Sequence, residues 1–564
     1  MTIAAIDASA QDADASAAHS RGDFTLAAAL LGDAIARFGS TPHRHAMLGQ
    51  ALLRLDRARE AATHLRLAYA ARAHPPLLVP LGIALLLSED ARAAVSTLDE
   101  ATAQLPKNPQ AWNALALAHD ALGDASRAEA AWRHALVVAP RFTPALANLC
   151  DLLVRRSRLD EAIAIAERAA YDHLDDAGAW FKLGHLLMLL PDPARAQDAL
   201  LRSARLQPRH AQTYQNLGIL GEWAARFDDA EIAYRQALSL DPGNADARFG
   251  LATILLKQRR ADEGWTLYAR GSSGNRAIPA RRIHARQWQG EAILQGTLVI
   301  DADQGLGDVL QFIRFADLAR ARVARVLVFC DDYYAPLKPL LASMRAIDAI
   351  VDRSSGEHAV AATCTASELP QLLQLGAAAM APCDAYLAPS AEAVRRWGVR
   401  TASLSGLKVG ICWSGNPRTS GTDAHRIDQR RSIAARRMAM LADIPGVTLV
   451  SLQKGACSED TRAFGPALVD WSSELVDFAE TAALMAQLDL VVSVDTSVVH
   501  CAGATGREAW MLDRFDNCWR WGTDVGNPGW YRHLRVFRQA TSGDWEPPVR
   551  QLHEALAARA RLRP

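Results

Sequence analysis

Between Leu488 and Arg507 the chain reads LDLVVSVDTSVVHCAGATGR, a stretch whose polar residues stand where an anion could be held. An apolar run from Leu490 to Val494 meets Asp495, Thr496 and Ser497. A helical pattern follows through Val499, His500 and Ala504, with glycines at Gly503 and Gly506. That order predicts a buried strand, a tight polar turn and a helix start. In an open α/β sheet a ligand sits at the carboxyl ends of the strands, and a helix start presents backbone N–H groups to an anion. A phosphorylated ligand is the first expectation. The alternative is that Asp495 or Thr496 does no more than cap its helix.

The elements that must position this turn alternate between strand and helix, the mark of a parallel sheet. Leu298 to Ile300 leads into DADQGLGDVLQFIRFADLARA, where Gly305 and Gly307 permit a tight turn and close backbone approach at a helix start, or simply close helix–sheet packing. Val326 to Phe329 reads as the next strand and Pro336 to Met344 as the next helix, with weaker units at Ile347 to Val351 and Glu368 to Leu375. After a polar helix from Ser390 to Trp397, strands are expected at Leu407 to Trp413, Val447 to Leu452, Leu490 to Val494 and Ala509 to Leu512. Two Rossmann-like lobes with a cleft between them are therefore expected.

The first half repeats itself with the 34-residue tetratricopeptide period. From Pro109 the pattern falls on Trp112, Leu115, Ala116, Ala128, Trp132, Ala135 and Pro140. It recurs at Leu149, Ala162 and Ala169, at Leu183, Gly184, Ala196 and Leu200, and at Leu217, Gly218, Ala230, Tyr234 and Ala237. Earlier units fit Leu81, Gly82, Ala94 and Leu98, then Leu48, Gly49, Ala61 and Leu65. Ala27 to Gly39 and Leu251 to Tyr268 read as terminal half-units. Small residues let paired helices approach, and the large ones are expected to fill the seam to the next pair. A stacked array of this kind binds a peptide or protein, or serves as a spacer or dimerisation arm.

The expected domains are a disordered start at 1–20, the array at 21–270, a connector at 271–291, a first lobe at 292–395, a second at 396–545 and a final helix at 546–564. The 62 basic residues equal the 62 acidic ones, so bulk charge gives no case for nucleic acid or an anionic membrane. Eight cysteines without CxxC spacing read as reduced thiols. The opening twenty residues carry no basic n-region or apolar core, and no run reaches the ~20 apolar residues of a membrane span. A soluble cytoplasmic chain is expected.

Five words in order, QGLGD at Gln304 to Asp308, WSGN at Trp413 to Asn416, RRSI at Arg430 to Ile433, SLQK at Ser451 to Lys454 and SVDTSVVHCAGATG at Ser493 to Gly506, resemble the heptosyltransferase-like glycosyltransferase domains found behind tetratricopeptide arrays in bacteria. The resemblance runs from about Gly22 to Trp545. In plan the chain is also similar to O-linked N-acetylglucosamine transferase and to flagellin glycosyltransferases. The resemblance implies an α-solenoid followed by a GT-B fold, inverting and metal-independent, with the nucleotide sugar in the second lobe and the acceptor against the first.

By resemblance Asp308 occupies the position of the general base that takes the acceptor proton, and its alternative role is to cap its helix. The departing diphosphate needs its charge met. No paired-aspartate word lies in the loops of the second lobe, the DAD at Asp301 to Asp303 being in the first. No metal or other cofactor is therefore expected. Arg430, Arg431 and Lys454 are the candidate cations, with the N–H groups of Thr496, Ser497 and Val498, and a bidentate arginine suits phosphate. The alternative for Arg430 is a solvated loop charge. Trp413, Ser414, Asn416 and Gln453 join the donor side through their words, and Asp495 matches a position that touches the donor. His500 ends the DTxxxH word, as a catalyst or as a residue that orients the turn or contacts the donor phosphate. Of Trp413, Trp519, Trp521 and Trp530, one is expected to stack on a base or sugar and the rest to be core. The chain departs from the family pattern after this helix, where DRFDNC replaces an apolar strand and a proline-bearing loop.

The function implied is transfer of a sugar from a nucleotide donor to a polypeptide acceptor gripped by the array, flagellin or another surface protein among the acceptors. The alternatives are transfer to a lipopolysaccharide or polysaccharide precursor, and a scaffold whose lobes no longer turn over. A homo-oligomer is left open.

Overall fold

The computed structural model describes residues 3–190, 193–271, 285–352, 359–415, 428–526 and 528–562. Asn416, most of the loop before Arg430 and most of the connector lie outside them. The chain divides into two compact units, Met1–Arg209 and His210–Pro564.

The first unit is built of helical hairpins from Ile3–Ser20 with Phe24–Phe38 through to Ala177–Leu187 with Ala194–Leu206. The small and large repeat positions meet within one hairpin rather than across the seam. A Cβ on Gly49 would lie 2.6 Å from Leu65, on Gly82 2.4 Å from Leu98, and on Gly184 2.6 Å from Leu200. Each large side chain thus fills the space left by the glycine of its own repeat. Short polar residues start several of these helices, as where Asp90 accepts from Ala93 N–H at 3.1 Å and Asp124 from Arg127 N–H at 3.1 Å.

The expected disordered start is instead the helix Ile3–Ser20. Its alanines Ala15 and Ala18 are buried, Gln11 donates to Leu30 O at 2.9 Å, and Asp12 pairs with Arg44 at 2.8 Å. Small residues three apart, Ala15 and Ala18, make the stripe along which this helix packs. The segment Ala27 to Gly39 is accordingly part of a full hairpin rather than a half-unit.

The second unit begins with two more hairpins, Ala211–Trp223 with Phe227–Leu240 and Ala245–Lys257 with Ala261–Gly271, so the expected half-unit at Leu251 to Tyr268 is also complete. Two all-parallel sheets follow. The first contains β1 (Arg286–Gln287), β2 (Ile293–Asp301), β3 (Val323–Phe329), β4 (Ala349–Val351) and β5 (Val360–Thr365), in the order β1-β5-β2-β3-β4. The second contains β6 (Leu407–Cys412), β7 (Val447–Ser451), β8 (Leu468–Val469), β9 (Leu490–Val494), β10 (Ala509–Asp513) and β11 (Leu534–Arg538), in the order β11-β10-β9-β6-β7-β8.

The second sheet starts inside at β6, grows through β7 and β8, then returns beside β6 and grows the other way; the first grows from β2 through β3 and β4 and returns to the other side of β2 with β5, where the two-residue β1 forms the edge. The reversal falls between β2 and β5 in the first sheet and between β6 and β9 in the second. Loops at the carboxyl ends on either side of such a reversal diverge and leave a crevice. The final helix, Glu546–Arg561, buries Val549, Leu552 and Leu556 against the second sheet.

Candidate functional site

At the reversal in the second sheet, Cys412 of β6 pairs with Ser493 of β9, and the turns after both strands stand side by side. Strand β9 is buried along its whole length, which is why its sequence is an unbroken apolar run except for Ser493. That hydroxyl is satisfied locally, by Val494 O at 2.7 Å and the Thr496 hydroxyl at 3.1 Å.

Thr496 caps the helix Ser497–Ala504, its Oγ1 accepting from Val498 N–H at 3.3 Å. The capping alternative therefore holds for Thr496, and the Val498 N–H expected in the anion cradle is already taken. Asp495 and Ser497 are partly exposed beside it.

Arg431 spans the two turns. Its Nη1 donates to Asp495 O at 3.2 Å, and its Nη2 pairs with Asp428 at 2.7 Å. Gly415 makes room for it, since a Cβ there would lie 2.5 Å from Arg431 Nη2. Arg430 is not a solvated loop charge: its guanidinium lies 4.6 Å from the Trp223 ring centroid and 3.3 Å from the Asp516 carboxylate.

Gln453 holds the floor of the site. Its Oε1 accepts from the N–H groups of Trp413 and Ser414, each at 3.0 Å, and its Nε2 donates to Ser414 O and Lys454 O, each at 3.0 Å. Buried with its amide so engaged, it positions the turns after β6 and β7. The Ser414 hydroxyl is likewise engaged, with Ser432 Oγ at 3.0 Å. Lys454 is exposed, and its Nζ donates to Ser472 O at 2.7 Å. The four tryptophans read from the sequence are all buried, Trp413 against Phe464, which removes the expected stacking platform.

In the first lobe, Gly305 N–H donates to Asp308 Oδ2 at 2.8 Å, the capping arrangement held as its alternative role. The other carboxylate oxygen of Asp308 pairs with Arg520, which the sequence reading passed over. Arg520 is buried; its Nε donates to Gln311 Oε1 at 2.5 Å and its plane lies over the Trp519 ring. Asp308, on the first lobe, thus meets a cation from the loop after β10.

Nearby, Asp303 ends the turn after β2 and ties it to the turn after β5, accepting from Ser367 N–H at 3.0 Å and Ser367 Oγ at 2.5 Å. Burial pushes its carboxyl up to about 7. The DAD word is therefore a tether at the first reversal.

His500 lies in the seam between lobes. Its Nδ1 meets Tyr531 OH at 2.9 Å, and its ring stacks on Trp521 at 5.4 Å between centroids. Burial first, and the Arg520 charge second, push it down to about 4, so at neutral pH it carries no charge to offer a phosphate. Gly307 packs directly on it: a Cβ there would lie 2.7 Å from His500 Cδ2 and 3.3 Å from Ser497 Cα. Gly307→Ala is expected to lower stability by about 1–3 kcal/mol by overpacking this seam. An unchanged urea midpoint would show that the seam yields.

Among the described residues, no three or more His, Cys, Asp or Glu side chains gather as metal ligands, and no helix is long and apolar enough to cross a membrane. Seven of the eight cysteines are free: Cys150, Cys330, Cys364, Cys383, Cys412, Cys501 and Cys518.

A helical repeat array followed by two parallel sheets, each with a reversal of strand order, defines the class. The repeats are tetratricopeptide repeats: that family matches residues 79–141 and 148–211 in one profile and 224–283 in another. Along most of its length the chain is similar to Protein FlbA of Caulobacter vibrioides, at 27% identity over 79% of this chain and 84% of that protein. Shorter matches are to the Protein O-mannosyl-transferase TMTC3 of Homo sapiens, 27% identical over 22% of this chain and 14% of that one, and to Cellulose synthase operon protein C of Pseudomonas fluorescens, 34% identical over 16% and 7%. Among solved structures the chain resembles yeast Tom70, at 16% identity and a TM-score of 0.39, over 45% of this chain and 55% of that one.

Proposed function

We propose that the chain is a glycosyltransferase of the GT-B plan, with a nucleotide sugar held in the second lobe and a polypeptide acceptor brought by the repeat array. The observation that carries this reading is Arg431 bridging the turns after β6 and β9 at the sheet reversal, beside the start of the helix Ser497–Ala504. A guanidinium and a helix start at a parallel-sheet crevice suit a diphosphate. The repeats support protein binding, as such arrays do.

In the proposed reaction the acceptor hydroxyl gives its proton to Asp308. Its oxygen bonds to the anomeric carbon from the face opposite the leaving group, and the bond from that carbon to the phosphate oxygen breaks. The nucleoside diphosphate leaves with the bonding pair, its charge met by Arg431 and by backbone N–H groups. Asp308 is bonded to Gly305 N–H and Arg520, yet each carboxylate oxygen has a second lone pair to accept with. No metal takes part in this proposal. The acceptor would be modified in the cytoplasm, a protein such as flagellin before export.

The test is calorimetric titration of the full chain with a panel of nucleoside diphosphate sugars, followed by a transfer assay. The parent is expected to bind at least one, and Arg431→Ala to weaken that binding at least tenfold. Binding of none would sink the reading. The engagement of both Asp308 oxygens favours one second reading, a binding scaffold without turnover. Sugar transfer or donor hydrolysis by the purified protein would discard it.

A further inference from the structure

We propose that Asp516 is an internal stand-in for a ligand phosphate, seated between Arg430 and Arg514 and displaced when a diphosphate enters the second lobe. This rests on the donor-site reading above and adds two residues to it.

Leu512 of β10 pairs with Val494 of β9, and Asp513 ends β10, so Arg514 leaves the sheet alongside the Asp495–Thr496 turn. The Arg514 side chain is only 11% exposed. Its Nε and Nη1 are buried and make no hydrogen bond among the described residues, and Arg431 Nε, near the same turn, is in the same condition. An unmet N–H on a buried guanidinium is costly, and an acceptor brought by a ligand would relieve that cost.

The acid closest to Arg514 is Asp516, itself 6% exposed. Its Oδ1 stands 3.6 Å from Arg514 Nε and its Oδ2 3.3 Å from Arg430 Nη2. Neighbouring pairs are tight: Arg431 with Asp428 at 2.7 Å, and Arg538 with Asp513 at 2.8 Å. Charge-assisted bonds of that kind run at about 2.7–2.9 Å. Asp516 therefore neutralises two cations without the geometry a committed partner adopts. A carboxylate has two oxygens for the two guanidiniums; a diphosphate brings more, spread wider, and matches their planar forks better.

The backbone beside Asp516 is pinned. Lys257, buried and 4.4 Å from the Phe227 ring centroid, donates to Asn517 O at 2.6 Å. Displacement would thus be a rotation of the Asp516 side chain rather than a movement of the loop. Asp516 would act as a gate that screens the two cations from each other while no ligand is present and competes with weakly held anions.

The experiment titrates the full chain with UDP, ADP, GDP and CDP, and with inorganic pyrophosphate, comparing the parent with Arg514→Gln, Arg514→Lys and Asp516→Asn. The two sites should move in opposite directions. Arg514→Gln is expected to weaken the diphosphate bound by the parent at least tenfold, with partial recovery in Arg514→Lys. Asp516→Asn is expected to tighten it threefold or more. If Asp516→Asn weakens binding or leaves it unchanged, Asp516 is a structural partner and the proposal is overturned. Unchanged affinity in Arg514→Gln overturns it as well. Should Arg514→Gln fail to fold, the Asp516→Asn titration still decides. A parent that binds none of the five probes would bring down the donor-site reading itself, whereas a binding parent with unaltered variants would remove only this inference.

Discussion

Arg520→Met in the intact chain is expected to lose about 3–5 kcal/mol of unfolding free energy, the size of effect seen when one member of a buried ion pair is removed. The Arg520 side chain is 10% exposed and that of Asp308 22%. Removing the guanidinium strands the Asp308 carboxylate and the Gln311 carbonyl, both of which it satisfies. The double variant Asp308→Asn with Arg520→Met is expected to recover part of the loss, because the charge left behind is gone while the Asn amide oxygen still accepts from Gly305 N–H. Urea unfolding measures both. A single variant within about 1 kcal/mol of the parent would mean that water already screens the pair. The same pair governs how the base assignment must be tested. Asp308→Ala removes a cap, an ion-pair partner and the candidate base together, so lost transfer in that variant would be ambiguous. Asp308→Asn can keep the cap and cannot take a proton, but it also gives up the charge that Arg520 pairs with, so loss of turnover there supports the base assignment only with donor affinity and the urea midpoint retained.

The parts of this molecule that could be read from its sequence are those fixed by local periodicity. The repeats announce themselves because each hairpin solves the same packing problem, a glycine or alanine under a large side chain one helix away. Strand β9 was legible because both faces are buried, which demands an unbroken apolar run. Strand β5, VAATCT, was not: its alanines and threonines fit a central position between β1 and β2 without forming an apolar run. The short strands β1 and β8 are two residues each, and β11, LRVFR, is an edge whose arginines mask its buried Val536 and Phe537.

At the candidate site, the close approach that a glycine permits is legible in the sequence, whereas a contact that depends on a distant partner is not. Gly307 was read as allowing close approach, and it meets His500 across the seam. Arg514 and Arg520 lie in DRFDNCWRW, noted only as a departure from a family pattern. Two arginines in one loop at the carboxyl end of a parallel strand are the available signal. Gln453 and Lys454 adjoin in sequence, but one is buried in a four-bond tether and the other reaches an exposed carbonyl, a distinction that only the turns around them decide.

Trp265→Ala is expected to cost about 3–5 kcal/mol, as large aromatic truncations in a well-packed core do. Trp265 stands on Ala261–Gly271, a helix that by sequence belongs to the repeat array, yet it is 2% exposed within the core of the sheets. Its ring meets Phe312 of the first lobe at 6.2 Å between centroids, and Trp519 and Trp530 of the second at 5.5 and 6.4 Å, each near perpendicular. Edge-to-face pairs of this kind add to the area they bury, and the indole N–H is met by Gly376 O at 2.9 Å. Tyr268, one turn on, packs against Phe312 and Trp519 and donates to Gln304 Oε1 at 2.9 Å, at the residue that opens the glycine turn with a φ of 63°. The last two repeat hairpins are therefore structural members of the α/β unit, and a truncation that treats them as array should fail. A chain beginning at His210 is expected to unfold cooperatively in urea, whereas one beginning at 271 should show exposed apolar surface by dye binding and no sharp transition. Equal cooperativity in both would mean that the aromatic contacts of Trp265 and Tyr268 are dispensable, and the loss predicted for Trp265→Ala would then be too large.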